Sequence, residues 1–225
     1  MKLRVIDSGS SGNCYLLENE EECLVVESGI PFIEVKKALN FNIKKIVGVV
    51  VSHVHGDHSK YISDYEKAGI SVFKPYLDEN AEMSHLCYGN FKITSFSLVH
   101  DVPCCGFYIV HPEIGILVYA SDTEYIKYRF KNVNHFLVEA NYSMDFVDKD
   151  KPNYEHVLQG HMSIETTCDF LKANNNPVLR TVTLCHLSAN NADSSYFKNR
   201  AEQVVDCHVE IARKGLCVDV SLVPF

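Results

Sequence analysis

The sequence has no hydrophobic run long enough to cross a bilayer, and no apolar segment of signal-peptide length follows its basic N-terminus. It also has no repeat, no low-complexity tract and no linker rich in proline, glycine or serine. We therefore expect one domain over residues 1–225, a cytoplasmic location, no membrane association and no obligate protein partner. With 46% hydrophobic and 22% charged residues, the chain has the composition of a globular protein with a substantial core.

Basic residues are scarce, with 21 Lys and Arg against 29 Asp and Glu, which gives a formal net charge of -8. Because phosphate affinity comes largely from clustered cations, this balance does not favour a broad nucleic-acid-binding surface, although it is compatible with a local basic patch. The nine cysteines are odd in number and irregularly spaced, so we expect reduced thiols and no disulfide framework.

The hydrophobic pattern predicts many short strands and a few helices. The predicted strands are 3–6, 14–17, 23–26, 46–51, 70–73, 91–98, 107–110, 116–120, 136–139, 181–184 and 216–222. The predicted helices are 31–39, 60–68, 164–174 and 194–205. Since the helices interrupt the strands without strictly alternating with them, the pattern indicates an α/β or α+β sandwich.

Three histidines and one aspartate lie within six residues directly after the apolar strand 46–51. His53 and His55 are two positions apart and can face one point from extended or loop backbone, while Asp57 and His58 turn toward a neighbouring point. Imidazole nitrogens with a carboxylate are typical ligands of zinc and similar cations. The cluster therefore predicts part of a two-metal site, and the alternative is a solvated loop that is rich in histidine.

Four residues cannot complete two sites, so further ligands must come from elsewhere in the chain. His100, Asp122 and His186 each follow a predicted strand, at the position where a sandwich presents its functional loops. Each could instead be a structural residue with its hydrogen bonds satisfied. The incomplete first cluster favours the ligand interpretation.

In their order along the chain, these motifs and the segment 25–29 resemble the metallo-β-lactamase superfamily. The segments 8–14, 139–142, 160–163 and 186–191 resemble more narrowly its YycJ/WalJ-like branch, whose members are regarded as nucleases or phosphodiesterases. The resemblance implies a four-layer αββα sandwich with the active site at the loops that follow the strands.

The resemblance also implies two divalent metal ions, with zinc as the expected metal and manganese or iron as alternatives. One ion would be held by His53, His55 and His100, and the other by Asp57, His58 and His186, with Asp122 as a bridge. The chain has Glu27 where the family usually has aspartate. That acid is expected to support the histidine loop through hydrogen bonds and not to bind metal.

The implied activity is hydrolysis of a DNA or RNA phosphodiester by a hydroxide that bridges the two metals. Asp57 would orient the attacking water, and His161 would protonate the leaving group or contact a phosphate unless it only fixes a turn. Nucleic acid or another phosphodiester is therefore the expected partner.

Substrate contacts are expected at two loops and one further side chain. Ser10, Ser11 and Asn13 belong to a Gly/Ser-rich loop that could bind an anion, or that could simply be a tight turn. Residues 125–131 interleave aromatic and basic side chains, among them Lys127 and Arg129. That pattern suits base stacking beside phosphate contacts, or a half-buried element whose cations reach solvent. Asn141 is the further contact.

Two other functions use similar residues. One is a hydrolase of a small molecule such as a lactam, lactone, thioester or cyclic nucleotide, because one dinuclear centre supports all these reactions. The other is a metal-binding module without catalytic activity. Redox chemistry is disfavoured, because diiron members of the superfamily have glutamate where this chain has His55.

Overall fold

The computed structural model describes residues 1–78, 83–148 and 159–223. The strands in these ranges are β1 (Lys2–Asp7), β2 (Cys14–Glu18), β3 (Cys23–Val26), β4 (Ile46–Val50), β5 (Val72–Phe73), β6 (His85–Tyr88), β7 (Phe91–Leu98), β8 (Cys104–His111), β9 (Gly115–Ala120), β10 (His135–Glu139), β11 (Thr181–Cys185), β12 (His208–Ile211) and β13 (Cys217–Asp219). The helices that lie fully in these ranges are α1 (Phe32–Ala38), α2 (Gly56–Ser59), α3 (Ile62–Lys67), α4 (Ile164–Asn174) and α5 (Ser194–Glu202), and 3₁₀ turns occur at Ile43–Lys45 and Pro75–Leu77.

Hydrogen bonds join the strands into two mixed sheets. The order is β13-β1-β2-β3-β4-β5 in the first sheet and β12-β11-β10-β9-β8-β7-β6 in the second. β3, β4 and β5 are parallel neighbours, as are β9, β10, β11 and β12. None of the helices in the described parts of the chain has the length and hydropathy needed to cross a membrane.

Alternate residues of the strands divide the apolar side chains among three clusters, because successive side chains of a strand point to opposite faces. Tyr15 and Leu17 of β2 join Phe107 and Tyr119 of the second sheet in a cluster between the sheets. Leu16, on the other face of β2, packs with residues of α1 and α3. A third cluster joins the outer face of the second sheet to α4 and α5. The order helix, sheet, sheet, helix confirms the predicted αββα sandwich.

The ends of several strands meet at one edge of the sandwich. β9, β10 and β11 are parallel, and β7 runs in the same direction as β9 because both pair antiparallel with β8. The residues that follow the ends of β3, β4, β7, β9 and β11 at this edge are Glu27, His53, His100, Asp122 and His186. Glu27, Asp122 and His186 have positive φ angles of 68°, 53° and 54°. Such conformations are costly for residues other than glycine and occur preferentially at functional sites.

Most predicted elements occur with end shifts of a few residues, and 23–26, 91–98 and 164–174 agree at both ends. The predicted strand 70–73 is confined to Val72–Phe73, and the predicted strand 216–222 to Cys217–Asp219. The sequence analysis missed β6 and β12, which are the edge strands of the second sheet and lack a continuous apolar run. It also treated residues 53–58 as extended or loop backbone, whereas Gly56–Ser59 forms a helical turn. All nine cysteines are free, as expected.

Candidate metal centre

His53 lies three residues after the end of β4 and is fully buried. Its Nδ1 is 2.8 Å from the Ser52 hydroxyl, while its Nε2 has no hydrogen-bond partner among the described residues and lies 3.7 Å from Oδ2 of Asp122. Burial and the neighbouring imidazole of His58 lower the pKa of His53 to about 2. His53 is therefore a neutral imidazole whose Nε2 is directed into the site.

A first group of candidate ligands consists of His53, His55, His100 and Asp122, whose donor atoms all lie within 4.8 Å of one another. Nδ1 of His55 lies 3.2 Å from Nε2 of His100. The ring of His53 lies 4.8 Å from that of His55 and 5.0 Å from that of His100, centroid to centroid. Asp101, which was not among the predicted residues, adds a carboxylate oxygen 3.1 Å from Nε2 of His100.

A second group consists of Asp57, His58, Asp122 and His186, again with all donor atoms within 4.8 Å. The helical turn α2 presents Asp57 and His58 from successive positions. Oδ2 of Asp57 lies 3.4 Å from Nε2 of His58 and 3.3 Å from Nε2 of His186. Oδ1 of Asp122 lies 3.3 Å from Nε2 of His58.

Asp122 belongs to both groups and is buried, with its two oxygens directed to different sides. Oδ2 faces His53 in the first group and Oδ1 faces His58 in the second. Burial alone would raise the pKa of Asp122, but His186 and His58 hold it well below its usual range. The carboxylate is therefore ionised and can be shared by two cations.

Glu27 supports the histidine loop from behind. It is fully buried, and both of its oxygens lie 3.3 Å from the backbone N–H of Ser52, which donates to them. Its Oε1 also lies 3.4 Å from Nδ1 of His58. The longer side chain of glutamate thus accepts a hydrogen bond from the backbone of the histidine loop, in keeping with the expected supporting role, and lies near His58 without a hydrogen bond to it.

Glu139, at the end of the fully buried strand β10, orients two imidazoles. Its Oε1 accepts hydrogen bonds at 2.7 Å from Nδ1 of His161 and at 3.0 Å from Nδ1 of His186. Its Oε2 accepts from the backbone N–H groups of Thr123 and Met162, both at 3.2 Å. The sequence analysis gave Glu139 no role, although an acid at the end of an apolar strand is a usable signal.

The two groups fit divalent metal ions by their donor chemistry and by their unsatisfied atoms. Five of the seven side chains are imidazoles and two are carboxylates, which is the ligand set of zinc and similar cations. Among the buried ring nitrogens without a hydrogen-bond partner in the described ranges, Nε2 of His53 is directed at Asp122 inside the site, whereas Nδ1 of His58 faces Glu27 behind it. Each such atom costs about 1–3 kcal/mol when unsatisfied. These residues can therefore hold divalent metal ions at this edge of the sandwich.

A cavity of about 170 Å³ opens onto these groups. The residues that line it are Ser10, His55, Asp57, His100, Asp122, His161 and His186. Ser10 and the adjacent Ser11 are exposed, so both predicted substrate contacts are accessible from solvent. The cavity is smaller than the roughly 300–1,000 Å³ of typical small-molecule pockets. It has room for a phosphoryl group but not for a whole nucleotide.

Asn13 is fully buried, unlike the two serines of its loop. Its side-chain oxygen accepts hydrogen bonds from the backbone N–H of Gly9 at 2.9 Å and from the hydroxyl of Tyr15 at 3.1 Å. Its amide nitrogen lies 2.9 Å from Nε2 of His58 and 3.3 Å from Oδ2 of Asp57. These contacts occupy the amide, so Asn13 positions Asp57 and His58 and does not face substrate.

Asn141 is also buried, at 6% exposure. Its amide nitrogen donates to the backbone carbonyl of His186 at 2.8 Å and lies 3.3 Å from Nδ1 of the same residue. Asn141 therefore holds the loop that carries His186, in place of the substrate contact expected from the sequence.

Residues 125–130, which we name the strap, divide their side chains between the core and solvent. Ile126, Tyr128 and Phe130 pack against the cluster beneath α4 and α5. Tyr125, Lys127 and Arg129 alternate with them along the chain and are exposed. An exposure pattern with a period of two residues is typical of extended backbone. The inner face of the strap is therefore structural, and the outer face exposes the two predicted cations to solvent; their contact with substrate stays a prediction.

Comparison with known proteins gives consistent results. The family model described as Metallo-beta-lactamase superfamily matches residues 7–60. The chain is 27% identical to "Exodeoxyribonuclease YycJ" of Bacillus anthracis, in an alignment that covers 64% of each protein. It is 23% identical to "Exodeoxyribonuclease WalJ" of Streptococcus pneumoniae serotype 2, over 84% of this chain and 82% of that protein. The chain thus spans less than two thirds of the length of the B. anthracis protein.

Among solved structures, the metallo-beta-lactamase fold protein YhfI from Bacillus subtilis superposes with a TM-score of 0.73. The superposition covers 97% of this chain and 99% of that one, at 20% sequence identity. The architecture described above is therefore the metallo-β-lactamase fold.

Proposed function

We propose that this chain is a hydrolase of the metallo-β-lactamase superfamily that depends on two metal ions and cleaves phosphodiester bonds of DNA or RNA. The observation that carries the proposal is that two ligand groups share one ionised carboxylate, that of Asp122. The exodeoxyribonuclease names of the two curated relatives support nucleic acid as the substrate.

In this proposal His53, His55 and His100 hold one cation, and Asp57, His58 and His186 hold the other. Zinc is the metal we propose, because imidazoles supply five of the seven side chains. When bound, two divalent cations polarise the phosphoryl oxygen and lower the pKa of a water molecule toward neutrality.

The chain's own residues supply orientation and a proton. The Asp57 side chain is 21% exposed and faces the cavity, where its carboxylate can accept a hydrogen bond from the attacking water. His161 lines the same cavity and can donate a proton to the leaving oxygen. Burial opposes the charge on His161, but the carboxylate of Glu139 raises its pKa above the usual value and keeps the proton available.

The size of the cavity favours a polymer over a small molecule. A cyclic nucleotide must enter the site with the fused ring that contains its phosphoryl group, whereas a nucleic acid need only insert its scissile phosphoryl group. The cavity of about 170 Å³ formed by the described residues suits the second case. Ser10, which lines the cavity, and the adjacent exposed Ser11 are the contacts we propose for the non-bridging oxygens or the adjoining sugar.

A substrate panel tests the proposal directly. Purified protein is assayed on single- and double-stranded DNA, RNA, bis(p-nitrophenyl) phosphate, a lactam and a thioester, beside Asp57→Asn and the exposed control Asp169→Asn on α4. We expect cleavage of a nucleic acid and of the phosphate diester by the wild type and the control. The rate of Asp57→Asn should be lower by at least about 100-fold. Cleavage of the lactam or thioester alone would refute the phosphodiesterase assignment, and no turnover by metal-loaded protein would favour a binding module.

A further inference from the structure

The outer face of the strap forms a single row of side chains that leads away from the metal centre. It begins three residues after Asp122, where the backbone N–H of Glu124 donates to the carbonyl of Val99 at 3.0 Å. It ends where the N–H of Phe130 donates to Oδ1 of Asn174, the last residue of α4, at 2.7 Å. α4 begins three residues after His161 of the site, and Asn174 lies ten residues further on, so the far end of the strap lies about 15 Å along the helix from its start.

This row is basic in a chain that is acidic overall. The strap contains Lys127 and Arg129 and no acidic residue, and Lys131 follows it directly, although the chain has a net charge of -8. All three cations are exposed. A local basic patch of this kind attracts phosphate even on an acidic protein, because the interaction falls off within a Debye length of about 8–10 Å.

The geometry of the row matches one nucleic-acid backbone. Alternate residues of an extended chain are roughly 6.6 Å apart, comparable to the phosphate spacing of a stretched single strand. Tyr125, the outward residue nearest the metal centre, is 48% exposed and offers a ring face on which an unpaired base can stack. A duplex keeps its bases stacked on each other and presents two backbones, so a single row with an exposed aromatic ring suits it less well.

We propose that the outer face of the strap is the binding track for a single strand of nucleic acid whose scissile phosphodiester lies in the cavity at the metal centre. The base next to that phosphodiester stacks on Tyr125, and the following phosphates contact Lys127 and Arg129. Arg129 lies seven positions after Asp122, which corresponds to at most about 23 Å of extended chain and to three or four nucleotides. The inference rests on the proposed function for its substrate but concerns binding, which can be measured without cleavage.

The test compares Lys127→Gln/Arg129→Gln with the charge-matched control Lys44→Gln/Lys67→Gln, whose lysines are exposed on the layer that covers the first sheet. Binding of a labelled 12-nucleotide single strand is followed by fluorescence anisotropy between 50 and 200 mM salt, with EDTA present to prevent cleavage. Circular dichroism confirms that each variant is folded. We expect the strap variant to bind about tenfold more weakly than the wild type and the control. The slope of log K against log salt should also fall by about 1.4, which is 0.7 for each lost phosphate contact.

Tyr125 provides an independent measurement. Tyr125→Ala should weaken binding of the single strand about tenfold, whereas Tyr125→Phe, which keeps the ring face, should bind as the wild type does. In cleavage assays, KM should fall as the strand lengthens from two to about six nucleotides in the wild type but change little in the strap variant.

The outcomes separate the inference from the proposed function. Equal affinities of the strap variant and the control, or equal affinity of the wild type for a blunt duplex and a single strand, would overturn the track. Cleavage of nucleic acid with unchanged binding by the strap variant would leave the proposed function intact. Strap-dependent binding without cleavage by metal-loaded protein would leave the track intact and refute the nuclease.

Discussion

Replacement of Glu139 by glutamine tests how the site controls the proton on His161. The side chain is fully buried and accepts four hydrogen bonds, two from imidazoles on Oε1 and two from backbone N–H groups on Oε2. Glutamine has nearly the same shape, but its amide nitrogen cannot accept. Whichever way the amide turns, one pair of donors loses its acceptor.

The magnitude follows from the bonds that are lost. Hydrogen bonds to a charged group contribute about 1.5–3 kcal/mol each, and part of the loss is recovered when an imidazole changes tautomer. We therefore expect Glu139→Gln to lower the free energy of unfolding by about 3 kcal/mol. For a chain of this size that corresponds to a fall of roughly 6–12 °C in Tm.

The catalytic effect should depend on the leaving group. Without the carboxylate, the pKa of His161 is no longer raised, so a smaller fraction of His161 carries the proton at neutral pH. Cleavage of DNA, whose leaving alkoxide needs that proton, should slow by about 10²–10³-fold. Hydrolysis of bis(p-nitrophenyl) phosphate should slow far less, because p-nitrophenolate leaves without protonation.

The pH profile of DNA cleavage shows in which direction the pKa of His161 changes. Activity on DNA requires protonated His161 and is lost as the pH rises through its raised pKa. In Glu139→Gln this loss should begin at lower pH. Glu202→Gln, an exposed acid at the end of α5, is the matched control and should leave rate, profile and Tm unchanged. If both substrates slowed equally and the profile stayed in place, the proton-supplying role of the Glu139–His161 pair would be wrong.

Two further substitutions test how the chain positions Asp57. A Cβ at Gly29 would overlap the backbone carbonyl of Asp57, whereas a Cβ at Gly56 meets nothing within 4 Å. Gly29→Ala should therefore lower the free energy of unfolding by about 2 kcal/mol and reduce metal content, while the control Gly56→Ala should do neither. Equal effects of the two substitutions would contradict the close contact between Gly29 and the backbone of Asp57. Asn13→Ala leaves the N–H of Gly9 without an acceptor and removes one of the two partners of the Tyr15 hydroxyl, which also contacts the hydroxyl of Ser8; this should cost about 1–3 kcal/mol in thermal unfolding and weaken metal binding. The exposed control Asn199→Ala on α5 should have no such effect, and a stable Asn13→Ala protein with full metal content would refute the positioning role.

The sequence located the residues that strand ends bring together, because their signals are local. The apolar run of β4 and the polar cluster after it can be read from adjacent letters, and His100, Asp122 and His186 each follow a run of strand-forming residues. The parallel arrangement of β9, β10 and β11 then determines which of these ends meet.

The roles that depend on distant partners could not be predicted in the same way. Glu139 orients His161 and His186, which lie 22 and 47 positions later in the chain. Asn13 faces the interior because its amide meets Asp57 and His58, 44 and 45 positions away. Such pairings are set by packing between sheets, and no local periodicity encodes them.

In the strap, the alternating pattern was visible in the sequence, but it did not show which side chains face the core and which face solvent. Alternating aromatic and basic letters are compatible with stacking on bases and with burial. Only the position of the cluster beneath α4 determines that Tyr128 and Phe130 point inward and that Lys127 and Arg129 point outward. The short edge strands β6 and β12 were missed for a related reason, since each pairs on one side only and needs no continuous apolar run.

The metal content of the purified protein tests the central claim most directly. Protein prepared without added metal and without chelator is analysed by inductively coupled plasma mass spectrometry, beside Asp122→Asn. Two ligand groups that share Asp122 predict about two divalent ions per wild-type chain and fewer than two in the variant, because the amide has only one oxygen to offer. One ion or none in the folded wild type, or an unchanged count in Asp122→Asn, would contradict the shared dinuclear centre.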